Sequence, residues 1–275
     1  MQTPFQFKNF YTLQTKTDQP LVDSEFLCWL IGFFEGDGHF GLDGRVSISQ
    51  SSRDVQVLYK IKTTLGFGIV RKDGVNCYKW ITNMDQECAA RLALLLNGNL
   101  VRQTRVNLFQ NWVNYWVFKK DNEEFMSLVG PGFVLDVQQK AKPELVCFTN
   151  GWLTGFTDAD GCWTITVYKT GSKKNPQATV SSVVASQKDP EWVDNMISLL
   201  KMGRKRSKIT NINQAWVVDK RDDIEVLIDY IERFPYKTKK SVSFNLFCKV
   251  RRRILKREHY TSYSQIKRLA SLINS

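Results

Sequence analysis

A nine-residue segment occurs twice in the chain, and this repeat limits the possible folds more than any other feature. Residues 30–38 read Leu-Ile-Gly-Phe-Phe-Glu-Gly-Asp-Gly, and residues 153–161 read Leu-Thr-Gly-Phe-Thr-Asp-Ala-Asp-Gly. Five of the nine positions are identical, and the last aspartates, Asp37 and Asp160, fall at equivalent places. Internal self-similarity at a fixed offset indicates a duplicated structural unit.

The residues after each copy predict the same order of elements. Each copy precedes two short β-like runs, a helical segment, a second β pair and further helix, with turn signals such as Asp43-Gly44 between strands. We therefore expect an α+β fold of two pseudo-symmetric αββαββα halves, each with a curved antiparallel sheet. The predicted strands span residues 39–42, 45–50, 68–72, 76–82, 163–168, 178–187, 204–210 and 215–219. The predicted helices that follow them span residues 55–65, 85–96, 106–118, 192–201, 224–233 and 242–255.

These elements suggest a division of the chain. We expect an N-terminal leader at 1–23, a first half at 24–120, a linker at 121–146, a second half at 147–255 and a C-terminal helical tail at 256–275. The linker is expected where Gly130-Pro131-Gly132 and Pro143 interrupt the pattern.

The first motif lies in a segment, residues 26–35, that is apolar nearly all round and so predicts a buried helix. Ser24 is its expected N-cap, and Glu25 suits its first turn. A stripe of small residues four apart runs along each motif segment, and such stripes allow two helix backbones to approach closely. The stripes comprise Cys28, Gly32 and Gly36, and Gly151, Gly155 and Ala159.

Packing of one motif helix on the other would place Asp37 and Asp160 at adjacent helix C-termini. The helix dipole and their mutual repulsion both disfavour two carboxylates there. Bound cations would remove both problems, and oxygen ligands favour hard ions such as Mg²⁺. A single Asp-Gly at a helix end is more often a turn, but two matched copies favour a shared site.

Composition narrows the partners. The chain has 39 Lys and Arg against 27 Asp and Glu, a net charge of +12, which favours a polyanion. No apolar run approaches the roughly 20 residues of a membrane span. The six cysteines lack zinc-site spacing, and only two histidines are present, so an HNH nuclease or a His-rich zinc site is disfavoured.

The repeated motifs and the predicted halves resemble those of LAGLIDADG homing endonucleases, over residues 24–255. The resemblance implies that the motif helices form the interface between the halves and that the acid at the eighth motif position binds metal. By position these acids are Asp37 and Asp160, with the backbone of Gly36 and Ala159 as further ligands. The first motif departs from the family pattern at Phe34 and at Glu35, away from the metal position.

The resemblance also implies a polar residue at the end of each first hairpin and a basic residue before the last long helix. Gln50 and Gln187 match the first, as the ends of two Ser-Gln pairs. Aligning residues 106–109 with residues 244–247 gives Arg102 and Lys240 for the second, although Lys237 and Lys239 compete with Lys240. Ordinary surface positions are the alternative for all four.

Alternate residues of each sheet are expected to contact DNA, because a two-stranded ribbon fits the major groove. A shift of one residue in strand phase would move every candidate to the opposite face, and a solvated strand face is the alternative. The candidates are Arg45, Ser47, Arg71, Lys72, Asn76, Lys79, Thr164, Thr166, Tyr168, Ser182, Arg204, Arg206 and Lys208. The basic run 249–257 is a solvated helix face or a phosphate contact.

The resemblance implies a monomeric, intron-encoded endonuclease that cuts both strands of a long asymmetric DNA target, with two or more divalent ions. Mg²⁺ is the expected cofactor, and Mn²⁺ or Ca²⁺ can substitute for binding. The alternatives are an RNA maturase that binds the host intron, alone or as a second activity, and a non-catalytic DNA-binding regulator. An intein is disfavoured. We expect no membrane association, no obligate protein partner and an organellar location in the mitochondrial matrix, with a chloroplast or a bacterial cytoplasm as the alternatives.

Overall fold

The computed structural model describes residues 4–14, 20–186, 190–208 and 211–274, and its contacts divide the chain into two compact units. The first unit is Met1–Ala159 and the second is Asp160–Ser275. The division falls after the second motif helix rather than before it, where the sequence placed the start of the second half. The reason is that this helix packs against the first motif helix, as described below.

The first unit contains a four-stranded antiparallel sheet in the order β1-β2-β4-β3. The motif helix α2 precedes β1, and α3 connects the two strand pairs. Its helices are α1 (Lys8–Gln14), α2 (Ser24–Asp37), α3 (Val55–Leu65), α4 (Gln86–Leu96), α5 (Gln103–Val117), α6 (Glu123–Val129) and α7 (Trp152–Asp160). Its strands are β1 (Gly38–Phe40), β2 (Val46–Ser51), β3 (Ile69–Lys72) and β4 (Cys77–Ile81).

The second unit repeats this topology, with the sheet order β5-β6-β8-β7. Its strands are β5 (Gly161–Tyr168), β6 (Gln177–Ser186), β7 (Arg204–Lys208) and β8 (Asn211–Val218). Its helices are α8 (Pro190–Leu200), α9 (Arg221–Arg233), α10 (Lys240–Leu255) and α11 (Tyr263–Ser271). The predicted α+β class and the αββαββα order are therefore confirmed in both repeats.

The helix α2 is buried on every side from Phe26 to Glu35, as its apolar sequence predicted. Its N-cap is Asp23 rather than Ser24, because the Asp23 carboxylate accepts a hydrogen bond of 3.3 Å from the backbone N–H of Phe26. Both side chains suit the cap. The chain therefore enters the helix one residue earlier than predicted, and Glu25 lies in the first turn as expected.

A glycine and a tryptophan occupy equivalent places in the two units, between the sheet and the helix that precedes its third strand. Gly68 and Gly203 both adopt positive φ, +82° and +77°, which an L side chain rarely tolerates. The indole N–H of Trp80 donates to the carbonyl oxygen of Phe67 at 3.2 Å. That of Trp216 donates to the carbonyl oxygen of Met202 at 3.0 Å. The repeat thus extends beyond the motif into the packing of the core.

The segments outside the repeat are more ordered than the sequence suggested. The expected leader contains α1, and the preceding segment is held by two hydrogen bonds between the Gln6 backbone and the Asn99 amide, at 2.7 and 2.9 Å. The expected linker contains α6. The tail helix α11 packs along β5, where the Asn274 amide donates to the carbonyl oxygen of Trp163 at 2.7 Å. No helix in the described ranges is long and apolar enough to span a membrane.

Candidate active site and nucleic-acid interface

The two motif helices cross at a pair of glycines. A Cβ atom added to Gly32 would overlap the carbonyl oxygen of Trp152 and lie 2.9 Å from the backbone nitrogen of Phe156. A Cβ atom on Gly155 would overlap the carbonyl oxygen of Trp29 and lie 2.8 Å from a second backbone nitrogen of α2. Backbone therefore meets backbone at both positions, and the predicted close approach of α2 and α7 is present within the first unit.

Two tryptophan–carboxylate hydrogen bonds flank this crossing. The Trp152 indole N–H donates to Glu35 Oε2 at 3.0 Å, and the Trp29 indole N–H donates to Asp158 Oδ2 at 3.2 Å. Both acids hold the sixth position of their motifs. They are buried, with relative exposures of 0% and 4%. This acid thus joins the two helices, which is a role the sequence did not predict.

Glu35 also fixes the start of α5. Its Oε1 accepts hydrogen bonds from the backbone N–H groups of Val101 and Arg102, at 3.0 and 2.9 Å. Burial raises the pKa of the Glu35 carboxyl to about 7, and the backbone donors and nearby guanidinium groups oppose that rise only in part. Desolvation is the dominant cause because no part of the residue reaches solvent.

Asp37 is the last residue of α2, and its side chain is partly exposed. The amide Nε2 of Gln50 donates a hydrogen bond to Asp37 Oδ2. Gln50 lies on β2, one strand from the glycine that follows Asp37, so the sheet register brings the two side chains together. The structure therefore pairs two of the predicted site residues of the first unit.

Arg105 makes more hydrogen bonds at this helix end than the predicted Arg102. Arg105 donates from Nε to Glu35 O at 2.8 Å, from Nη2 to Gly36 O at 2.8 Å and from Nη1 to Gly38 O at 2.7 Å. These are carbonyl groups at or beside the C-terminus of α2, where a cation is stabilising. Arg105 therefore holds the backbone on both sides of Asp37.

Arg102 lies deeper in the unit. It is 8% exposed, donates from Nη1 to the Glu35 carbonyl oxygen at 3.2 Å, and stacks over the Phe156 ring at 5.5 Å. Arg102 precedes α5 as its N-cap residue and its side chain is largely buried, so its role in the site stays a prediction. Arg105, three residues later and nearly one helical turn on, makes the additional contacts at the end of α2.

The second unit contains the matching lysine. Lys240 opens α10, and its Nζ donates to the carbonyl oxygen of Gly161 at 2.6 Å. Gly161 is the repeat counterpart of Gly38, whose carbonyl oxygen Arg105 holds. Gly161 directly follows the second motif aspartate, Asp160, whose side chain is exposed. Lys240 therefore contacts the backbone of the residue after Asp160. Sequence alignment alone would pair Lys240 with Arg102.

In the second sheet, the position that corresponds to Gln50 is occupied by Ser186 rather than by Gln187. Gly38 pairs with Ile48, and Gly161 pairs with Val184, so Gln50 corresponds to Ser186. The pairing of the next strands agrees, since Ile48 faces Trp80 and Val184 faces Trp216. Gln187 itself lies outside the described residues. The shared Ser-Gln pair in the sequence therefore does not mark structurally equivalent positions.

The first sheet has one face against the helices and one open face. Val46, Ile48 and Trp80 are buried on the first. Directly paired residues share a face, so the register defines an open face that includes two of the candidates, Arg71 and Lys79. Ser47 shares this phase but is buried, and Arg45 precedes β2 and pairs with Asp43 at 2.9 Å. The open face also carries side chains that were not predicted, namely His39, Ser49, Ser51, Ile69 and Cys77.

One of the first unit's candidates has the wrong phase. Lys72 pairs with Tyr78, in phase with Trp80 on the helix-covered face, whereas Asn76 lies in the turn before β4, where no strand phase applies. Adjacent residues of a strand point to opposite faces, so Arg71 and Lys72 cannot both lie on the open face. The sequence candidates included both because the phase of β3 was not fixed.

The second sheet confirms the predicted phase of most candidates. Its open face carries Thr164, Thr166, Tyr168, Arg204 and Arg206. Ser182 was wrong, because it pairs with the buried Trp163 and is itself 5% exposed. The side chain of Lys208 lies outside the described part. The sequence does not fix which face the residues of β6 share with those of β5, because the loop between the two strands can shift the alternation by one residue.

The donor set at Asp37 fits a hard divalent cation, since carboxylate and carbonyl oxygens are its preferred ligands. In the described ranges, no group of three or more His, Cys, Asp or Glu side chains could hold a metal by itself. Further ligands would thus come from water or from substrate phosphates. The Gly36 carbonyl oxygen, one of the predicted metal ligands, accepts a hydrogen bond of 2.8 Å from Arg105.

Comparison with known proteins agrees with this architecture. Residues 153–251 match the family model described as LAGLIDADG endonuclease. The chain is 29% identical over 248 residues to "Probable intron-encoded endonuclease 4" of Neurospora crassa, covering 87% of this chain and 42% of that protein. It is also 29% identical over 157 residues to "Uncharacterized cox1 intron-2 37.2 kDa protein" of Schizosaccharomyces pombe, covering 56% and 44%. The chain thus spans less than half the length of these two curated relatives.

Solved structures give the same fold. The LAGLIDADG meganuclease I-AabMI bound to uncleaved DNA superposes with a TM-score of 0.73 at 18% identity, covering 90% of this chain and 99% of that one. The meganuclease I-SmaMI bound to uncleaveable DNA superposes with a TM-score of 0.70 at 16% identity, covering 92% and 99%. At these identities the structures establish the fold alone.

Proposed function

We propose that this chain, a LAGLIDADG-family protein by its repeat, its fold and its matched domain, is a site-specific homing endonuclease that hydrolyses both strands of a double-stranded DNA target. The observation that carries the proposal is the repeated helix end. In each unit an aspartate is followed by a glycine whose carbonyl oxygen accepts from a basic side chain, Arg105 or Lys240. Each helix end thus supplies one acid and one basic side chain, and the two ends together would serve the cleavage of the two DNA strands.

The roles follow from the contacts. Gln50 orients the Asp37 carboxylate and holds it at the end of α2. Arg105 keeps the backbone around Asp37 in place and adds positive charge where phosphate charge develops. Lys240 gives the same support at Gly161. We propose Asp37 and Asp160 as ligands of Mg²⁺, which supplies activation of water and stabilisation of the leaving oxygen when bound.

The proposed DNA-contacting surface is the open face of each sheet. Arg71 in the first unit and Arg206 in the second are exposed there, and arginine can bind guanine through two parallel hydrogen bonds. The net charge of +12 favours a polyanionic partner. Because the two open faces carry different side chains, we propose an asymmetric target.

The test is cleavage of a randomised duplex library in Mg²⁺ followed by sequencing of the cut ends. We expect double-strand cleavage by the unmodified chain and none by Asp37→Asn or Asp160→Asn, with duplex binding in Ca²⁺ largely retained. The matched control is Asp136→Asn, an exposed aspartate of the segment between α6 and α7, which should cut normally. Full cleavage by Asp37→Asn would overturn the catalytic assignment.

The same preparation tests the alternative. Binding to single-stranded RNA in preference to every duplex, without cleavage, would support an RNA maturase in place of an endonuclease. The matched relatives are named as intron-encoded or as a cox1 intron protein, and on this basis we propose an organellar location. Fractionation of the source cells with an antibody against the chain would test it.

A further inference from the structure

A cleft of about 530 Å³ lies at the edge of the second sheet, beyond the end of β8. The pairing of β6 with β8 ends at Ser182 and Val218, whereas β6 continues to pair with β5 as far as Gln177 and Tyr168. Residues 178–181 of β6 therefore have a strand on one side only. The start of α9 and the end of α10 close the other side of the cleft.

Four arginines and one aspartate are the charged residues around this cleft, and apolar side chains such as Val217 and Ile224 form part of its wall. The charged residues are Arg204, Arg206, Arg221, Arg251 and Asp219. The lining therefore carries an excess of positive charge beside a mixture of polar and apolar side chains.

Two of the four arginines are already matched by acids. Arg204 pairs with Asp219 at 2.6 Å, and Arg251 pairs with Glu225 at 2.8 Å. Arg206 and Arg221 are exposed, and within the described residues neither has a carboxylate oxygen within 4.0 Å. The cleft thus presents two guanidinium groups whose charge is not balanced by a neighbouring side chain.

The first unit has no counterpart of this cleft in its described residues, for a reason of strand length. β1 has three residues and its pairing with β2 ends at Phe40 and Val46. β2 is bound on its other side as far as Val46, because the Thr82 N–H donates to the Val46 carbonyl oxygen at 2.9 Å. β5 and β6, with eight and ten residues, extend past the end of β8 and so leave the cleft beside residues 178–181 of β6.

We propose that Arg221 in this arginine cleft binds a phosphate group of a nucleic-acid backbone, and that it does so for the DNA duplex held on the open face of the second sheet, where Arg206 contacts the bases. Arginine forms paired, directional hydrogen bonds to phosphate. Arg204 and Arg206 belong both to the open face and to the cleft, so a duplex lying on that face passes the cleft mouth. The DNA part of this inference rests on the proposed function.

The test compares Arg221→Ala with Arg268→Ala, which removes the same charge from an exposed position on α11. The first measurement is thermal unfolding of the full chain in inorganic phosphate and in chloride at equal ionic strength. Phosphate should raise the melting temperature of the unmodified chain and of Arg268→Ala, and raise it less for Arg221→Ala. Arg221→Lys, which keeps the positive charge but cannot form two parallel hydrogen bonds to a phosphate, should give an intermediate rise in melting temperature.

The second measurement is a salt titration of binding to a 30-bp mixed-sequence duplex in Ca²⁺. Each lost phosphate contact should flatten the slope of log K against log salt by about 0.9, and only Arg221→Ala should show this. A phosphate effect without a slope change would keep the phosphate site and overturn its assignment to DNA. Equal behaviour of Arg221→Ala and Arg268→Ala in both measurements would overturn the proposal. Absence of all duplex binding would reject the endonuclease function, while the phosphate measurement would still decide the cleft.

Discussion

The indole N–H of Trp152 donates a hydrogen bond of 3.0 Å to the carboxylate of Glu35, 117 residues earlier in the chain. The reverse contact, from Trp29 to Asp158, has the same form. Each motif therefore carries two acids of different kinds. The acid at the sixth position is buried and joins the helices, whereas the acid at the eighth, Asp37 or Asp160, is at least partly exposed.

The glycine crossing predicts a large loss of stability from one added methyl group. Gly32→Ala and Gly155→Ala each force a Cβ against the backbone of the other helix, and overpacking of this kind costs about 1–3 kcal/mol or more. Urea unfolding of the two variants measures the loss. Gly171→Ala is the matched control, because an added Cβ meets nothing within 4 Å there. Wild-type midpoints for both crossing variants would show that the helices do not meet at these glycines.

The buried Glu35 predicts a pH-dependent component of stability. Its folded-state pKa of about 7 lies above the ordinary value of 4.5, so the folded chain binds this proton more tightly than the unfolded chain. The contribution is fully present below pH 4.5 and is lost as the pH rises through about 7. Unfolding free energies of the unmodified chain and of Glu35→Gln should therefore differ in their pH dependence between these values. Parallel curves would contradict the raised pKa.

Arg105 predicts a loss of cleavage without a loss of fold. Arg105→Ala removes three hydrogen bonds to the carbonyl groups around Asp37, and removal of one preorganised electrostatic group typically costs about 10²–10³-fold in rate. The loss should appear as a lower single-turnover rate for cleavage of the DNA strand that Asp37 is proposed to cut, and Arg105→Lys should restore part of that rate. Lys240→Ala should lower the cleavage rate of the other DNA strand. If Arg105→Ala and Lys240→Ala lowered the cleavage rates of both DNA strands equally and also lowered the melting temperature, the effect would be structural.

The sheet face on which each β-strand residue lies predicts which basic residues contact the bases of the DNA target. Arg71→Ala and Arg206→Ala should each cost about 1–3 kcal/mol of binding, mainly on the preferred sequence. Lys72→Ala is the matched control, since its backbone position is next to Arg71 and its phase is opposite. Competition binding in Ca²⁺ against target and scrambled duplexes measures the difference. A larger loss from Lys72→Ala than from Arg71→Ala would reverse the assigned open face.

The two units also predict an asymmetric target. Arg71 and Lys79 occupy the open face of the first sheet, whereas Thr164, Thr166 and Arg206 occupy that of the second. Each unit should therefore prefer a different half-site, over a length of about two helical turns. Binding to the two palindromic versions of the site should be weaker than to the natural order, and by different amounts. Equal affinity for all three duplexes would contradict this.

The sequence by itself determined the repeat, the order of the elements and the two aspartates at the helix ends. These features are written locally: apolar periodicity makes α2 a buried helix, strand-length runs mark the hairpins, and small residues four apart allow the close crossing at Gly32 and Gly155. The helix Val55–Leu65 was predicted to the residue.

Only the tertiary structure decided which side chains meet. That Arg105 and not Arg102 reaches the carbonyl groups of Gly36 and Gly38 depends on how α5 packs against α2, and Glu35 fixes the start of α5 from 66 residues away. Whether Ser182 lies on the open face or in the core depends on a register that the β5–β6 loop resets, and a slip of one residue reverses the face. Long-range packing and register are not encoded in any short window, so the sequence could name the candidates but not choose among them.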